Sequence, residues 1–120
     1  MQSEPAFIQG VYPFTGAGLE NPQPLSAEAT TFVTPSDRFV QPTYVRAGNS
    51  SDAMVYLVLR RDEQPIRYFP IAAQGNAHVA LAVVEELPPD TKLDVLIAAP
   101  EGVTGYVVVD VGLVLTNHEY

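Results

Sequence analysis

Short runs rich in valine, leucine, isoleucine and tyrosine recur along this chain, each cut off by proline, glycine, asparagine or aspartate. That rhythm is the sequence form of a sandwich or barrel, because each run is long enough for one strand and too short for a stable helix. Thr30 to Thr34, Arg38 to Arg46, Ala53 to Arg60, Ile66 to Phe69, His78 to Val84, Lys92 to Ala99 and Gly105 to Thr116 read as strands. Asp62-Glu63-Gln64 closes a hairpin, and Gly48 to Asp52, Gln74 to Ala77 and Pro100 to Gly102 supply further turns. Pro42 falls inside a strand and has no N–H for a ladder, so that strand lies at an edge or carries a bulge.

Residues 1–28 read mostly as an arm. Ala6 to Tyr12 forms a short edge strand within it, and the glycine- and proline-rich stretch up to Pro24 has no periodicity. The expected architecture is all-β: an antiparallel sandwich, jelly-roll or immunoglobulin-like, of about eight strands counting the one in the arm, with a single sandwich domain over residues 29–120 and an extended N-terminal arm. At 120 residues the chain is the size of one domain and can bury a core without staples.

A sandwich strand normally turns one face to the core and the other to water. The last strand has a clean inner face of Val107, Val109, Val111, Leu113 and Leu115, yet its other face carries Tyr106 and Val108 around Asp110 and Gly112. The same doubling recurs elsewhere. Leu93, Val95, Ile97 and Ala99 are opposed by Leu96 and Ala98, Val79, Leu81 and Val83 by Ala80, Ala82 and Val84, and Val55, Leu57 and Leu59 by Met54, Tyr56 and Val58. Charged residues make up 17% of the chain, against about 25% in ordinary soluble domains, so little charge is left to cover those outer faces. Either the N-terminal arm buries one of them or a second subunit does. The expected interface is Met54, Tyr56, Val58, Ala80, Ala82, Leu96, Tyr106 and Val108.

Several chemistries are excluded or weakened. No cysteine is present, so disulfides and thiolate metal sites are impossible, and two histidines, His78 and His118, are too few for a histidine-rich metal centre. No metal or other cofactor is expected. A net charge of −8 opposes nucleic acid and anionic membranes. No apolar stretch reaches the roughly 20 residues of a membrane span. Met1 to Pro5 lacks the features of a signal peptide, which makes a cytoplasmic or virion location the expectation.

No G-x-S-x-G elbow accompanies His78. Asp110 is expected to point outward, and Glu85-Glu86 point to opposite sides of any strand, so neither forms a catalytic pair. Asp90 and Asp94 do not match a calcium loop. Asn49-Ser50-Ser51 fits a glycosylation sequon but sits in a turn. Arg60, Arg61 and Arg67 flank one hairpin, with Asp62 and Glu63 as the expected partners.

These readings point away from an enzyme. The leading expectation is a structural or assembly protein, a subunit of a homo-oligomer or larger shell, a form that virus-capsid decoration proteins take. The alternative is a small accessory module binding a sugar or peptide through Gly48–Asp52, Gln74–Ala77 and Pro100–Thr104, with Tyr44, Tyr56 or Tyr68 lining its cavity.

Overall fold

The computed structural model describes residues 3–25, 29–81 and 86–117. Among the described residues nine strands run in chain order: β1 (Ser3–Thr15), β2 (Gln23–Pro24), β3 (Thr31–Val33), β4 (Arg38–Asn49), β5 (Val55–Arg61), β6 (Gln64–Ile71), β7 (Asn76–Ala80), β8 (Lys92–Ala98) and β9 (Thr104–Asn117). They form two antiparallel sheets. One has the order β1-β9-β4-β7; the other has the order β2-β8-β5-β6, with β3 also pairing with β8. The fold is therefore the two-sheet sandwich expected from the strand rhythm. A 14-residue strand at about 3.4 Å per residue is close to 50 Å long, which sets the molecule's 50 Å long axis.

Alternation builds the core. Val107, Val109, Val111, Leu113 and Leu115 of β9 are buried against Val55, Leu57 and Leu59 of β5 and Leu93, Val95 and Ile97 of β8 within one apolar cluster. Leu87, bridged to Val40, and Phe14 complete it. Burial at roughly 25 cal/mol per Å² makes this interleaved layer the main stabilising term.

Two irregularities follow from proline and turn chemistry. β4 slips register against β9 between Pro42 and Tyr44, so the strand accommodates its proline with a bulge, just outside the stretch that β7 covers. The β5–β6 hairpin closes through Asp62 and Glu63, both at positive φ (47° and 69°), the backbone of a two-residue turn whose twist matches its strands.

Three expectations change. The run Ala6 to Tyr12 extends to a 13-residue strand, paired with β9 along its whole length. A two-residue strand, β2, brings the count to nine, because Gln23 and Pro24 reach Ile97 and Leu96 of β8. Of the strand expected over His78 to Val84, the described part ends at Ala80; Ala82, Val83, Val84 and Glu85 lie outside the described residues, as does His118.

Candidate functional site

The outer faces of the two sheets are solved differently. On the β2-β8-β5-β6 sheet, Val58 and Leu96 are buried within the chain itself, so they leave the set of expected interface residues. The segment between β1 and β2 bends over that face. Gly18 N–H donates to the Ala99 carbonyl, and the Tyr56 hydroxyl donates to the Leu19 carbonyl. Glu20 and Pro22 thereby close a hollow with Tyr56, Val58, Tyr68 and Leu96. Tyr56 is half-buried in this contact and stacks obliquely on Tyr68 at 5.7 Å. Covering by the chain's own N-terminal region is thus the outcome on this side.

Arg60 sends its hydrogen bonds past the turn carboxylates of Asp62 and Glu63. It crosses to Asp94 on β8 with two hydrogen bonds of 2.9 and 2.6 Å, the bidentate geometry that suits a planar guanidinium. The carboxylate contact foreseen for this arginine cluster is an internal one.

The outer face of the β1-β9-β4-β7 sheet stays open. Ala80 is exposed, as are Tyr106 (58%) and Val108 (48%), with Phe7 and Val11 of β1 beside them; Met54, also exposed, precedes β5 of the other sheet. Strand register arranges this face in rows. Phe7, Gly112, Tyr44 and Ala80 form one; Gln9, Asp110, Arg46 and His78 the next; Val11, Val108, Gly48 and Asn76 the third. The middle row is polar from edge to edge.

Asp110 is its centre, pointing outward as its place in the alternation requires. It accepts from the Tyr44 hydroxyl (3.0 Å) and from Gln9 Nε2 (3.1 Å), and Arg46 lies 3.9 Å away. The Arg46 contact is solvent-exposed and long, so it adds little stability. Burial, and then the hydrogen bond to the Asp110 carboxylate, holds the Tyr44 phenol above its ordinary ionisation range. The Tyr44 ring lies across Gly112, where an added Cβ would stand 2.0 Å from the ring, and His78 meets it edge-on at 6.2 Å. Only glycine at position 112 leaves space for that ring.

The third row contains a second strand-interior glycine with a different effect. Nothing crowds Gly48; an added Cβ would make ordinary contact with Val108 at 3.8 Å. The missing side chain leaves a hollow of about 500 Å³ lined by Arg46, Gly48, Asn76, His78, Val108 and Asp110, within the range of small-ligand sites. Val108 and Asn76 stand one strand to either side of Gly48, so the trough is about 10 Å across.

The loops named from sequence gather at the end of this trough. Asn49 N–H donates to the Gly75 carbonyl, Gln74 N–H to that of Ser51, and Ser50 N–H to that of Tyr106, while a Cβ on Gly105 would touch Ser50 and Ser51. Asn49 itself is 5% exposed and spends both amide hydrogens on the carbonyls of Ala53 and Ala72, so the sequon is a structural turn. The loops rim the site and brace it. Gly48 and Asn76, expected from sequence as loop residues, lie on β4 and β7 and line the trough from strands, and Arg46 of β4 is a lining residue that the sequence did not point to. The available signal was a glycine interrupting an otherwise regular strand, which marks a bulge or a close approach.

No family model and no curated protein matches the chain. Among solved structures it is similar to the CBM36-1 domain of a multidomain xylanase from the hindgut metagenome of Trinervitermes trinervoides, with a TM-score of 0.55 over 98% of this chain and 100% of that one. Sequence identity is 9%, so the likeness is one of fold.

Among the described residues, no group of three or more histidine, cysteine or acidic side chains is placed to hold a metal ion, and no helix is long and apolar enough to cross a membrane.

Proposed function

We propose that this chain is a non-catalytic recognition module that binds a neutral carbohydrate in the trough over Gly48. The trough itself carries the reading. A sugar ring presents hydroxyls, each both donor and acceptor, around an apolar C–H face. Arg46 and His78 donate, the Asp110 carboxylate accepts, and Asn76 does both. Val108 forms an apolar wall beside the Gly48 floor, and Tyr106, one step further along β9, is an exposed ring of the kind on which a sugar's C–H face packs. A width of about 10 Å admits one pyranose ring between the flanking strands.

Charge narrows the ligand class. A chain of net charge −8 repels polyanions, so uronate-rich and sulfated glycans are disfavoured. Glycoside hydrolysis generally needs two carboxyl groups about 5–10 Å apart; among the described residues, Asp110 is the single carboxylate lining this trough. The fold likeness to a domain named among carbohydrate-binding modules supports this reading over that of a shell subunit.

The test is calorimetric titration with a panel of neutral soluble glycans, xylan among them, against the protein and Gly48→Leu. Position 48 tolerates a side chain in the fold, so the variant fills the trough without unfolding the protein. Binding to at least one glycan, weakened tenfold or more in the variant (about 1.4 kcal/mol) at an unchanged denaturation midpoint, is the expected result. Equal affinity of the two proteins would place the site elsewhere, and no binding across the panel would remove the carbohydrate reading.

A further inference from the structure

β1 forms one border of its sheet, with β9 on one side and, among the described residues, no strand on the other. The phase of its ladder shows which backbone groups are left over. Tyr106 accepts from Ser50 N–H through its carbonyl and donates its own N–H to Ser50 Oγ, so the even-numbered residues of mid-β9 turn toward β4. The odd-numbered ones therefore turn toward β1. Register pairs Val111 with Ile8 and Val109 with Gly10, which places the even-numbered residues of β1 on the ladder. Phe7, Gln9 and Val11 direct their N–H and C=O groups away from the sheet.

A free edge of this kind is a template for another strand unless charge or proline blunts it. Here the prolines delimit the edge. Pro5 and Pro13 share the outward phase and lie symmetrically about Gln9, four residues to either side. No charged residue occurs from Pro5 to Leu19, although the chain as a whole carries net charge −8. On the open face of this edge, the side chains to either side of Gln9 are apolar and exposed, Phe7 at 50% and Val11 at 61%.

We propose that two copies of this chain pair antiparallel through the free edge of β1, about a two-fold axis at Gln9. In that register Gln9 faces its own copy and Phe7 packs against Val11 of the second copy, twice over. Pro5 meets Pro13 at either end of the pairing, where neither has an N–H to donate, so the ladder stops there. The self-complementary spacing selects a second copy of this chain as the occupant, because an isologous interface needs the same strand on both sides. The Gln9 carbonyl already accepts from the Tyr12 hydroxyl at 3.1 Å, and its second lone pair remains for the partner's N–H.

Edge pairing over nine residues buries less than the roughly 1,200 Å² of a standard interface. The dimer is therefore weak and concentration-dependent, and it tightens as salt screens the acidic bodies of the two copies. The axis stands perpendicular to the sheet, so both Gly48 troughs fall on one face, a bivalent arrangement for a polymeric ligand. That last consequence rests on the carbohydrate reading. The pairing does not, and its test uses no ligand.

The chain has no cysteine, so one introduced thiol reports on one contact. Residues paired on the two-fold axis have Cα atoms about 5.5 Å apart, inside disulfide range. The same pairing keeps the two copies of position 11 about 14 Å apart. Gln9→Cys should oxidise to a covalent dimer at least tenfold faster than Val11→Cys. In sedimentation equilibrium, the unmodified protein should show a monomer–dimer equilibrium that Val11→Lys weakens at least tenfold. Equal oxidation rates, or a protein that stays monomeric up to about 1 mM, would overturn the pairing.

Discussion

Gly112 and Gly48 lie on the same open sheet face, two rows apart, and the same substitution at each should act in opposite directions. At Gly112 an alanine Cβ would stand 2.0 Å from Tyr44 Cε2 and 2.4 Å from Cδ2, so the ring must leave its seat. With it go the 3.0 Å hydrogen bond to Asp110 and the edge contact with His78. A hydrogen bond to a charged group contributes about 1.5–3 kcal/mol when sheltered, and about 1 here because Asp110 is partly open to water. The aromatic contact adds about 0.5–1.5 kcal/mol. Against that loss, alanine is better than glycine in a strand by about 0.5–1 kcal/mol. Gly112→Ala should therefore destabilise by about 0.5–2 kcal/mol.

At Gly48 the new methyl finds Val108 at 3.8 Å and displaces nothing, so only the gain of about 0.5–1 kcal/mol remains. Urea denaturation followed by circular dichroism separates the two, and melting points should differ by roughly 4 °C per kcal/mol. In a Tyr44→Ala background the penalty at Gly112 should vanish, since the obstructed ring is gone. Two glycines that respond alike, or a penalty that survives removal of the ring, would refute the placement of Tyr44.

Other consequences are open to the same assays. Arg60→Met strands Asp94, a buried carboxylate that loses two hydrogen bonds, and should cost about 2 kcal/mol, most of it recovered by adding Asp94→Leu. Glu63→Gly should stabilise by about 1 kcal/mol because residue 63 holds φ at 69°, whereas Asp62→Gly should not, since Asp62 Oδ1 accepts from the Lys92 N–H at 2.9 Å. Because burial and the hydrogen bond to Asp110 raise the ionisation of Tyr44, the folded chain keeps that proton more fully than the unfolded chain as pH rises past the ordinary phenol range. Stability should fall as pH rises through that range, and fall less steeply in Tyr44→Phe, as melting points between pH 9 and 11 would report.

The sandwich was legible because its core depends on period-two alternation, and Val107 to Leu115 or Leu93 to Ala99 display that period without interruption. Proline 42 announced its bulge for the same local reason. The doubled apolar faces were legible as an imbalance, but not their resolution. Whether Val58 and Leu96 meet a second chain or Glu20 and Pro22 depends on where an aperiodic segment crosses the sheet, and no local pattern encodes that path. The extent of β1 was hidden similarly, since Pro5, Gly10 and Pro13 read as breakers and are tolerated only because the strand is an edge. The candidate site was legible in fragments. Asp110 and His78 drew notice one at a time, yet the row joining them through Arg46 exists only once β4 lies between β9 and β7.

On the proposed reading, the open face of the β1-β9-β4-β7 sheet recognises a sugar over Gly48. Backbone amide NMR of the ¹⁵N-labelled protein, titrated with a neutral oligosaccharide that it binds, reads the site residue by residue. The largest shift changes should fall on Arg46, Gly48, Asn76, His78, Val108 and Asp110, with Tyr56, Tyr68 and Leu96 on the opposite sheet unmoved. A pattern centred on Tyr56 and Tyr68, with the Gly48 row silent, would contradict it.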